Sequence, residues 1–457
     1  MAKILLVEPN YRSKFPPLGL LKISSYHKSV GDEAVFVRGK VDSLIDSRWD
    51  KVYVSSLFTW ELPATVDALK FYSSCVKNAN DLVVGGVGAT LMPELIKSQV
   101  KCRVVRGPLN RANMIARGVP AIDTIVPDYS LIAGSKYDYQ PSNSFFARTT
   151  QGCIRKCSFC AVCKIEPRFY HIRGWWKRID EAVDRYGERR NLVLLDNNVL
   201  AARSHLPQII GKVASLGFQR GAKLNNKRRQ VDFNQGIDAR LVNDRVAPLL
   251  ASINLEPVRL ALDTMAVRQP YSDAIKRLAK VGFRHFTNYV MYNFDDTPAD
   301  FYTRLAINFD LSNRFGVTIT GFPMRFEPID QPIRGHVSSG WTWKYLRGVR
   351  CILRATYGLV TTNRDFFLHA FGSNAEEFLE IISMPDKYII YRQQYADNAA
   401  RVWKRRFRGL SDSSKQELLS ILGRERHSPA KKVTRREMDR FGKLLEHYYS
   451  DKSLRIG

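Results

Sequence analysis

Residues 149–167 read TTQGCIRKCSFCAVCKIEP, a stretch that places four of the seven cysteines of the chain within eleven positions. The four are Cys153, Cys157, Cys160 and Cys163. Cysteines grouped this closely indicate a metal site where thiols stay reduced, and a disulfide framework where they are oxidised. The spacing leaves open whether all four are ligands of one site or whether one is a bystander.

The composition and the lack of a signal peptide favour an environment in which the thiols stay reduced. The chain has 457 residues, 45% hydrophobic and 25% charged, as in soluble globular proteins of two or three domains. No window is apolar over enough residues for a signal peptide or a membrane span, so we expect a cytoplasmic protein with no membrane partner. The other cysteines, Cys75, Cys102 and Cys351, lie in apolar contexts and are expected to be buried.

The net charge of +27 predicts a polyanionic partner, for which nucleic acid is the first candidate. A generally basic proteome or a solubility device is the alternative. Residues 401–457 hold sixteen Lys and Arg against seven Asp and Glu, and the insertion KLNNKRRQ at 223–230 is also basic.

The segment RVWKRRFRG at 401–409 has helical spacing. It places four cations on one side, namely Arg401, Lys404, Arg405 and Arg408. Such a stripe repels itself and favours an anionic partner. Trp403 and Phe407 lie on an adjacent face, which we expect to pack on the core.

Apolar strands alternate with helices over residues 1–130, a pattern that predicts a doubly wound parallel sheet. The strand candidates are KILLVEPN (3–10), EAVFVRG (33–39), KVYVSSLFT (51–59), DLVVGGVG (81–88) and CRVVRGP (102–108). Ligands of such sheets bind beyond the carboxyl ends of the strands. Residues 131–144 lack periodicity and carry turn residues, so they are predicted to be a linker.

The alternation resumes over residues 145–330 with six strands separated by helical stretches. The strands are SFFARTT (144–150), NLVLLDNN (191–198), QVDFNQG (230–236), VRLALDT (258–264), HFTNYVMYN (285–293) and VTITGFPMR (317–325). Six β/α units are too few for a closed eight-fold barrel. They predict a partial barrel with its chemistry at the carboxyl ends of the strands.

Four of these strands end in amides or carboxylates. One or two such endings would be ordinary helix caps, but four in succession favour a ligand site. The polar residues are Asp196, Asn197 and Asn198, then Asn234 and Gln235, then Asp263, then Asn293. Beyond residue 330 only helical stretches remain, which predicts a mostly helical, basic C-terminal domain over 331–457, its last helix at 434–452.

The spacing Cys153-x3-Cys157-x2-Cys160 lies in the loop after the first of the six strands. Three thiolates can hold one face of an iron–sulfur cube and leave the fourth iron open to a cofactor or substrate. A structural zinc site instead takes four protein ligands, of which Cys163 would be the fourth. Spacing by itself permits both.

This cysteine loop, with Phe159 before its last cysteine and six β/α units around it, resembles the radical S-adenosylmethionine (SAM) superfamily over about residues 145–330. The resemblance implies a [4Fe-4S] cluster on Cys153, Cys157 and Cys160, with SAM bound to the open iron. It also implies that one electron, from an external donor such as flavodoxin or ferredoxin, cleaves SAM to a radical that abstracts hydrogen from a substrate. Cys163 would lie outside the cluster, and we expect it to be an inert loop thiol. The alternatives are a hydrogen-atom donor or a ligand to something else.

The resemblance also implies contacts with SAM at the strand ends. Where many members have Gly-Gly-Glu after the second strand, this chain has Asp196-Asn197-Asn198, which still offers hydrogen-bond acceptors. The remaining predicted cofactor contacts are Phe159, Asn234 with Gln235, Asp238, Arg240, Asp263 and Asn293. For Asp238 and Arg240, an ion pair at a helix start is the alternative.

Residues 1–130 are similar to the cobalamin-binding-type domain that precedes many radical SAM cores, through PPLGLLKISSYHKSVGDEAVFVRG (16–39), VVGGVGATLMPEL (83–95) and VVRG (104–107). Many such domains bind cobalt through the histidine of an Asp-x-His-x-x-Gly motif, which this chain lacks. His27 is expected on a helix surface, and His171 belongs to another segment. The domain would either bind cobalamin without a protein ligand or be a scaffold that has lost it.

Three functions follow. The first is a radical SAM enzyme that modifies tRNA, rRNA or DNA by methyl or sulfur transfer, which the charge favours. The second is a radical SAM enzyme of small-molecule, lipid or peptide natural-product biosynthesis, in which the basic tail is a solvated face. The third is a non-catalytic iron–sulfur protein that binds nucleic acid, and the polar strand ends argue against it.

Overall fold

The structure is a computed structural model that describes residues 1–361, 363–395, 398–429, 432–449 and 455–456. It consists of two compact units, each assembled from separate stretches of chain. Unit 1 comprises Met1–Ile237, Pro248–Pro257 and Pro328–Arg334, and unit 2 comprises Asp238–Ala247, Val258–Glu327 and Gly335–Gly457. Within the described residues, no helix combines the length and the apolar character that a membrane crossing needs.

The first part of unit 1 is the predicted parallel sheet. Its strands are β1 (Lys3–Glu8), β2 (Glu33–Arg38), β3 (Lys51–Ser56), β4 (Leu82–Gly86) and β5 (Arg103–Val105). All neighbours are parallel in the order β2-β1-β3-β4-β5. The order reverses between β1 and β3, and ligands of such sheets bind beyond the strand ends at this switch point.

Helices cover this sheet. They are α1 (Leu18–Ser29), α2 (Leu62–Tyr72), α3 (Val87–Leu91), α4 (Pro93–Lys97) and α5 (Ser130–Ala133). Successive residues of the strands enter two different cores: Leu5 and Val54 belong to one, and Leu6 and Tyr53 to the other. Because both faces are buried, the strands read as continuous apolar runs.

His27 of α1 is buried, which makes the prediction of a surface position wrong. Its Nδ1 lies 2.8 Å from a carboxylate oxygen of Asp32, and its Nε2 lies 3.2 Å from the hydroxyl of Tyr53. Burial lowers the pKa of His27. The residue is a satisfied core histidine because its helix face packs on the sheet. Cys75 and Cys351 are buried as predicted, whereas Cys102 is only half-buried.

The second part of unit 1 holds the first three predicted barrel strands. Its strands are β6 (Ser144–Ala147), β7 (Thr150–Gln151), β8 (Tyr170–His171), β9 (Asn191–Leu194), β10 (Lys223–Leu224), β11 (Lys227–Arg228) and β12 (Gln230–Phe233). The three main strands are parallel in the order β12-β9-β6. The next helices in the chain are α6 (Val162–Ile165), α7 (Lys177–Tyr186), α8 (Leu206–Val213) and α9 (Val246–Ala251).

The free edge of β12 is covered by residues 248–257. The amide of Val231 donates to the carbonyl of Asn254 at 2.9 Å, and the amide of Glu256 donates to the carbonyl of Val231 at 2.9 Å. Strands β10 and β11 form the antiparallel hairpin of the basic insertion, turning at Asn225 and Asn226, which both have positive φ. Two such residues are typical of a two-residue hairpin turn.

Unit 2 holds the other three predicted strands. They are β13 (Val258–Ala261), β14 (His285–Tyr292) and β15 (Thr318–Arg325), parallel in the order β13-β14-β15, with helices α10 (Arg268–Lys280) and α11 (Pro298–Phe315). All six predicted strands are therefore confirmed, three in each unit. Their closure into one partial barrel and the domain boundaries at 130, 144 and 330 stay predictions.

The rest of unit 2 is mostly helical. Its elements are α12 (Trp343–Ala355), α13 (Arg364–Phe371), α14 (Ala375–Ser383), α15 (Asp386–Ile390), α16 (Arg392–Tyr395), α17 (Ala399–Arg408), α18 (Asp412–Leu422), β16 (Lys432–Val433), α19 (Arg435–Leu445) and β17 (Arg455–Ile456). Trp403 and Phe407 stack with their ring centroids 4.6 Å apart inside this core, as predicted. The last predicted helix ends at Leu445, and residues 450–452 of that prediction lie outside the described residues.

Candidate metal centre and cavity of unit 1

The cysteine loop begins just beyond β6, at a point that Asp196 holds in place. Asp196 is buried after β9 and accepts hydrogen bonds from the amide of Thr149 (3.0 Å), from the hydroxyls of Thr149 (2.7 Å) and Thr150 (2.6 Å), and from the amide of Thr150. These contacts tie the end of one strand to the end of the next. The structure therefore gives Asp196 an anchoring role, and its predicted contact with SAM stays a prediction.

Glu166 is a second buried anchor, which the sequence did not single out. Its carboxylate accepts from the amide of Gly152 at 2.8 Å and from the side chain of Asn197 at 2.7 Å, and it pairs with Arg148. Gly152 has φ of 77°, and a Cβ there would lie 2.2 Å from the carbonyl oxygen of Arg168. Only glycine fits this close approach. The position of Gly152, directly before Cys153, is therefore fixed by its hydrogen bond to Glu166 and by its contact with the backbone of Arg168.

The four cysteines are free thiols, each partly exposed. The Sγ of Cys153 accepts from the amide of Arg155 at 3.3 Å, and the side-chain amide of Asn198 lies 3.6 Å from the same sulfur. Hydrogen bonds to sulfur favour the thiolate that a cluster requires. In the part of the chain that the structure describes, no three His, Cys, Asp or Glu side chains meet as ligands of a single metal ion.

Cys163 lies in α6, and the hydrogen bond of its thiol goes to the backbone of the cysteine loop. Its thiol donates to the carbonyl of Cys160 at 3.3 Å, while the amide of Cys160 donates to the carbonyl of Cys157 at 3.0 Å. The thiol of Cys163 is thus used by the backbone of the preceding turn. This agrees with a loop thiol, and its exclusion from a cluster stays a prediction.

A cavity of about 660 Å³ lies within unit 1, where the carboxyl ends of both sheets meet the cysteine loop. The doubly wound sheet contributes residues that follow β1, β3, β4 and β5. The cysteine loop contributes Ala161 and Val162, and the segments after β9 and β12 contribute Asn197, Asn234 and Gln235. Three of the predicted polar strand-end residues therefore reach one cavity. Phe159 is half-buried in the same loop.

The cavity wall contains buried charges but no histidine among its described residues. Glu8 accepts a hydrogen bond from the Tyr139 hydroxyl and lies 3.5 Å from Nε of Arg38, and burial raises its pKa to about 7. Lys22 lies 3.0 Å from a carboxylate oxygen of Asp123, and burial lowers the pKa of Lys22. This wall can bind polar groups of a ligand without an imidazole contact.

The remaining predicted residues lie in unit 2. Nε of Arg240 is 2.6 Å from Asp238, whose carboxylate also caps the short helix Ala239–Leu241. This is the ion pair at a helix start that the sequence offered as the alternative. Asn293 has φ of 67° and binds backbone on both sides: its amide donates to Phe326 and His336, and its oxygen accepts from Ser338.

Asp263 lies at the end of β13 beside a buried arginine. Burial raises the pKa of Asp263 to about 6, and the positive charge of Arg304 opposes that rise. The guanidinium of Arg304 donates to the carbonyls of Asp263 (2.5 Å) and Met291 (2.6 Å) and pairs with Asp296. Arg304, which the sequence did not single out, thus fixes the ends of β13 and β14.

No protein-family model matches the chain, and no curated protein matches it. A solved structure does match: the radical S-adenosylmethionine methyltransferase TsrM from Kitasatospora setae, with cobalamin and a [4Fe-4S] cluster bound. The two share 12% identity and superpose with a TM-score of 0.52 over 77% of this chain and 75% of that chain. The resemblance that the cysteine loop predicted is thereby confirmed for the fold, which this chain shares with a radical SAM methyltransferase.

Proposed function

We propose that this protein is a radical SAM enzyme with a [4Fe-4S] cluster on Cys153, Cys157 and Cys160. The observation that carries the proposal is the cysteine loop itself: it follows β6, is anchored by two buried carboxylates, and borders a cavity at the strand ends. The fold shared with a radical SAM methyltransferase supports the same class of enzyme. A non-catalytic iron–sulfur protein would have no need of this cavity.

The residues present fit such a cluster. The chain offers three closely spaced thiols, and the amide of Arg155 and the side chain of Asn198 lie within reach of the sulfur of Cys153. When bound, a reduced [4Fe-4S] cluster would supply the electron for cleavage of SAM. Asn197 and Gln235 offer donors and acceptors to SAM from the cavity wall. A flavodoxin or ferredoxin would serve as electron donor.

Cobalamin is proposed as a second cofactor, in the same cavity of unit 1. The cavity lies at the switch point of the doubly wound sheet, where ligands of this fold bind, and the structural neighbour carries cobalamin. No histidine lines the cavity in the described residues, so cobalamin would be held by contacts with strand ends and with the loops that follow them. Methyl transfer is accordingly the reaction that we favour over sulfur transfer.

Anaerobic turnover tests the enzyme proposal. Reconstituted and chemically reduced protein is expected to convert SAM to 5′-deoxyadenosine, or to S-adenosylhomocysteine if methyl transfer begins. Mass spectrometry of the products measures both, and the same protein without reductant is the control. If a preparation with full iron content yields neither product, the protein is not an enzyme of this class.

Gly85→Leu tests the place of cobalamin. Gly85 lines the cavity, lacks a positive φ, and a Cβ there would make only ordinary contacts, the nearest 3.5 Å from the carbonyl oxygen of Val105. The larger side chain should occupy part of the cavity at the end of β4, so we expect at least tenfold weaker cobalamin uptake in absorbance titrations, with iron content unchanged. Gly211→Leu, on the exposed face of α8, is the matched control. Equal uptake by parent and Gly85→Leu would place cobalamin elsewhere.

A nucleic acid is proposed as the substrate, supported by the net charge of +27. The basic stretches that the sequence favoured are partly neutralised. In α17, Lys404 lies 3.5 Å from Glu380, and Arg408 pairs with the same carboxylate at 2.5 Å. In the 223–230 hairpin, Arg228 pairs with Glu256 and Arg229 with Glu188. A small-molecule, lipid or peptide substrate is the alternative.

A further inference from the structure

A strongly cationic cavity of about 410 Å³ lies within unit 2, and none of the functions above uses it. Five arginines line it, namely Arg325, Arg347, Arg350, Arg354 and Arg426, and no carboxylate is among its lining residues. A concave surface of one charge focuses its field and attracts ligands of the opposite charge. The cavity therefore selects for an anion.

Three of these arginines come from one face of α12. Arg347, Arg350 and Arg354 follow one another at helical spacings of three and four, and Trp343 lies one turn before them. Residues at these spacings are neighbours on a helix surface, and like charges there destabilise the helix. An unfavourable arrangement of this kind is explained when an anion binds to it.

Two of these arginines, Arg350 and Arg354, have spare hydrogen-bonding capacity. Within the described residues, neither Arg350 nor Arg354 makes a hydrogen bond or an ion pair. Arg347 is 1% exposed, and its terminal nitrogens donate to the carbonyls of Glu425 and Leu422, but its buried Nε has no partner. Arg347 therefore adds positive charge to the cavity wall, and the exposed Arg350 and Arg354 are the arginines that can contact a ligand.

The two acidic side chains nearby compensate other cations, and neither pairs with Arg350 or Arg354. Glu327 lies 3.2 Å from Arg325 and also accepts from the amides of Gly335 and His336. Asp386 lies 3.4 Å from the buried ammonium of Lys344. The positive charge of Arg350 and Arg354 therefore stays available to a ligand.

The cavity also offers an aromatic surface. The guanidinium groups of Arg325 and Arg426 lie 4.9 Å and 5.4 Å from the ring centroid of Trp343, whose side chain is half-buried. The part of the indole that these two guanidinium groups leave exposed can contact a planar base while the exposed arginines bind phosphate oxygens. Arg350 and Arg354 are exposed, so a nucleic-acid strand can pass along the rim of the cavity.

We propose that this cavity binds one nucleotide of a single-stranded nucleic acid, with the base against Trp343 and the phosphates on Arg350 and Arg354. Arginine is suited to this because its planar fork matches phosphate geometry. As an account of substrate recognition, the proposal rests on the function proposed above. The binding of a nucleotide in this cavity depends only on the geometry of unit 2.

The test is binding of a fluorescently labelled single-stranded RNA of mixed sequence, and of the matching DNA, measured by anisotropy over a range of salt concentrations. Reversal of two exposed cations in Arg350→Glu/Arg354→Glu should weaken binding at least about tenfold. It should also reduce the slope of log K against log salt by about 1.4, since each phosphate contact on a single strand contributes about 0.7. Trp343→Leu should weaken binding by about tenfold.

The matched control is Lys276→Glu/Lys280→Glu, which makes the same change of charge on exposed positions of α10 in the same unit. It should alter affinity by less than about threefold. Thermal melting of each variant checks that unit 2 is folded, because Arg350 and Arg354 are exposed and their replacement should leave the melting temperature unchanged.

Two results would overturn the proposal. One is an Arg350→Glu/Arg354→Glu variant that binds RNA and DNA with the affinity and salt slope of the parent. The other is a parent that binds ATP or inorganic phosphate in this cavity but neither single strand, which would make it a site for small phosphates. Failure of SAM cleavage with arginine-dependent RNA binding retained would instead reject the proposed enzyme and keep the binding site.

Discussion

Replacing Cys153, Cys157 or Cys160 with alanine is expected to remove the iron, the brown colour and the SAM cleavage of the anaerobically purified protein. A cluster held by three thiolates has no protein ligand to spare, so each single change should have the full effect. Iron and sulfide analysis with absorbance spectra measures it. Cys163→Ala is the matched control and should keep iron and colour, because the Cys163 thiol donates to the carbonyl of Cys160.

Two outcomes would contradict this prediction. Stoichiometric zinc without iron in the parent would indicate a structural site with four cysteine ligands. Loss of iron from Cys163→Ala equal to that of the other three variants would make Cys163 a ligand. Either result would also remove the open iron on which binding of SAM depends.

Asp196→Ala is expected to lower the free energy of unfolding of the protein by about 4 kcal/mol or more. The change leaves the buried amides and hydroxyls of Thr149 and Thr150 without their acceptor, and each unsatisfied buried donor costs about 1–3 kcal/mol. Since these residues lead directly into the loop of Cys153, iron content should fall too. Chemical denaturation and iron analysis measure the two effects.

Asn197→Ala is the control for this prediction. Asn197 follows Asp196 but lines the cavity and donates only to Glu166 among the contacts found, so its loss should cost about 1 kcal/mol. Iron should be retained while SAM binds more weakly. If Asp196→Ala kept parental stability and iron, the carboxylate would have no anchoring role and a ligand contact would be the better account.

Much of the fold can be predicted from the sequence because the burial of strands and helices produces local patterns of apolar and polar residues. The strand β1 appears as an unbroken apolar run, and the six strands predicted for residues 145–330 are recognisable by the polar residues that end them or by the helices between them. The cysteine loop is equally local, since its motif spans eight residues. Local patterns of this kind need no knowledge of what lies across the fold.

The site residues that the sequence missed depend on pairs that are distant in the chain. Glu166 meets Arg148 across 18 positions and Asn197 across 31, and nothing in KIEP distinguishes this acid from a surface residue. Asn293 illustrates the opposite case, in which the sequence predicts a ligand contact and the structure shows contacts with the backbone. A polar side chain at a strand end can bind a ligand or the backbone, and the side chain of Asn293 makes hydrogen bonds with three backbone groups.

The basic stripe of α17 illustrates the same limit for charge. Its spacing in the sequence is regular, but Glu380 on α14 pairs with Arg408 from 28 positions away. The arginines of α12 have equally regular spacing in WKYLRGVRCILRA, yet the local sequence does not reveal that they line a cavity without carboxylates. A charge pattern in the sequence predicts that a helix has a basic face. Only the tertiary structure shows whether acidic residues neutralise the positive charge of that face.

The interleaved division of the chain decides how the protein can be dissected. A fragment that stops at Ile237 would lack residues 248–257, whose carbonyl and amide groups pair with Val231 of β12. The fragment would expose a bare strand edge, and such edges pair with further copies of themselves and aggregate. Truncation at that boundary should therefore give insoluble material rather than an isolated cluster domain. The function of each unit is better assigned by point substitutions in the whole chain.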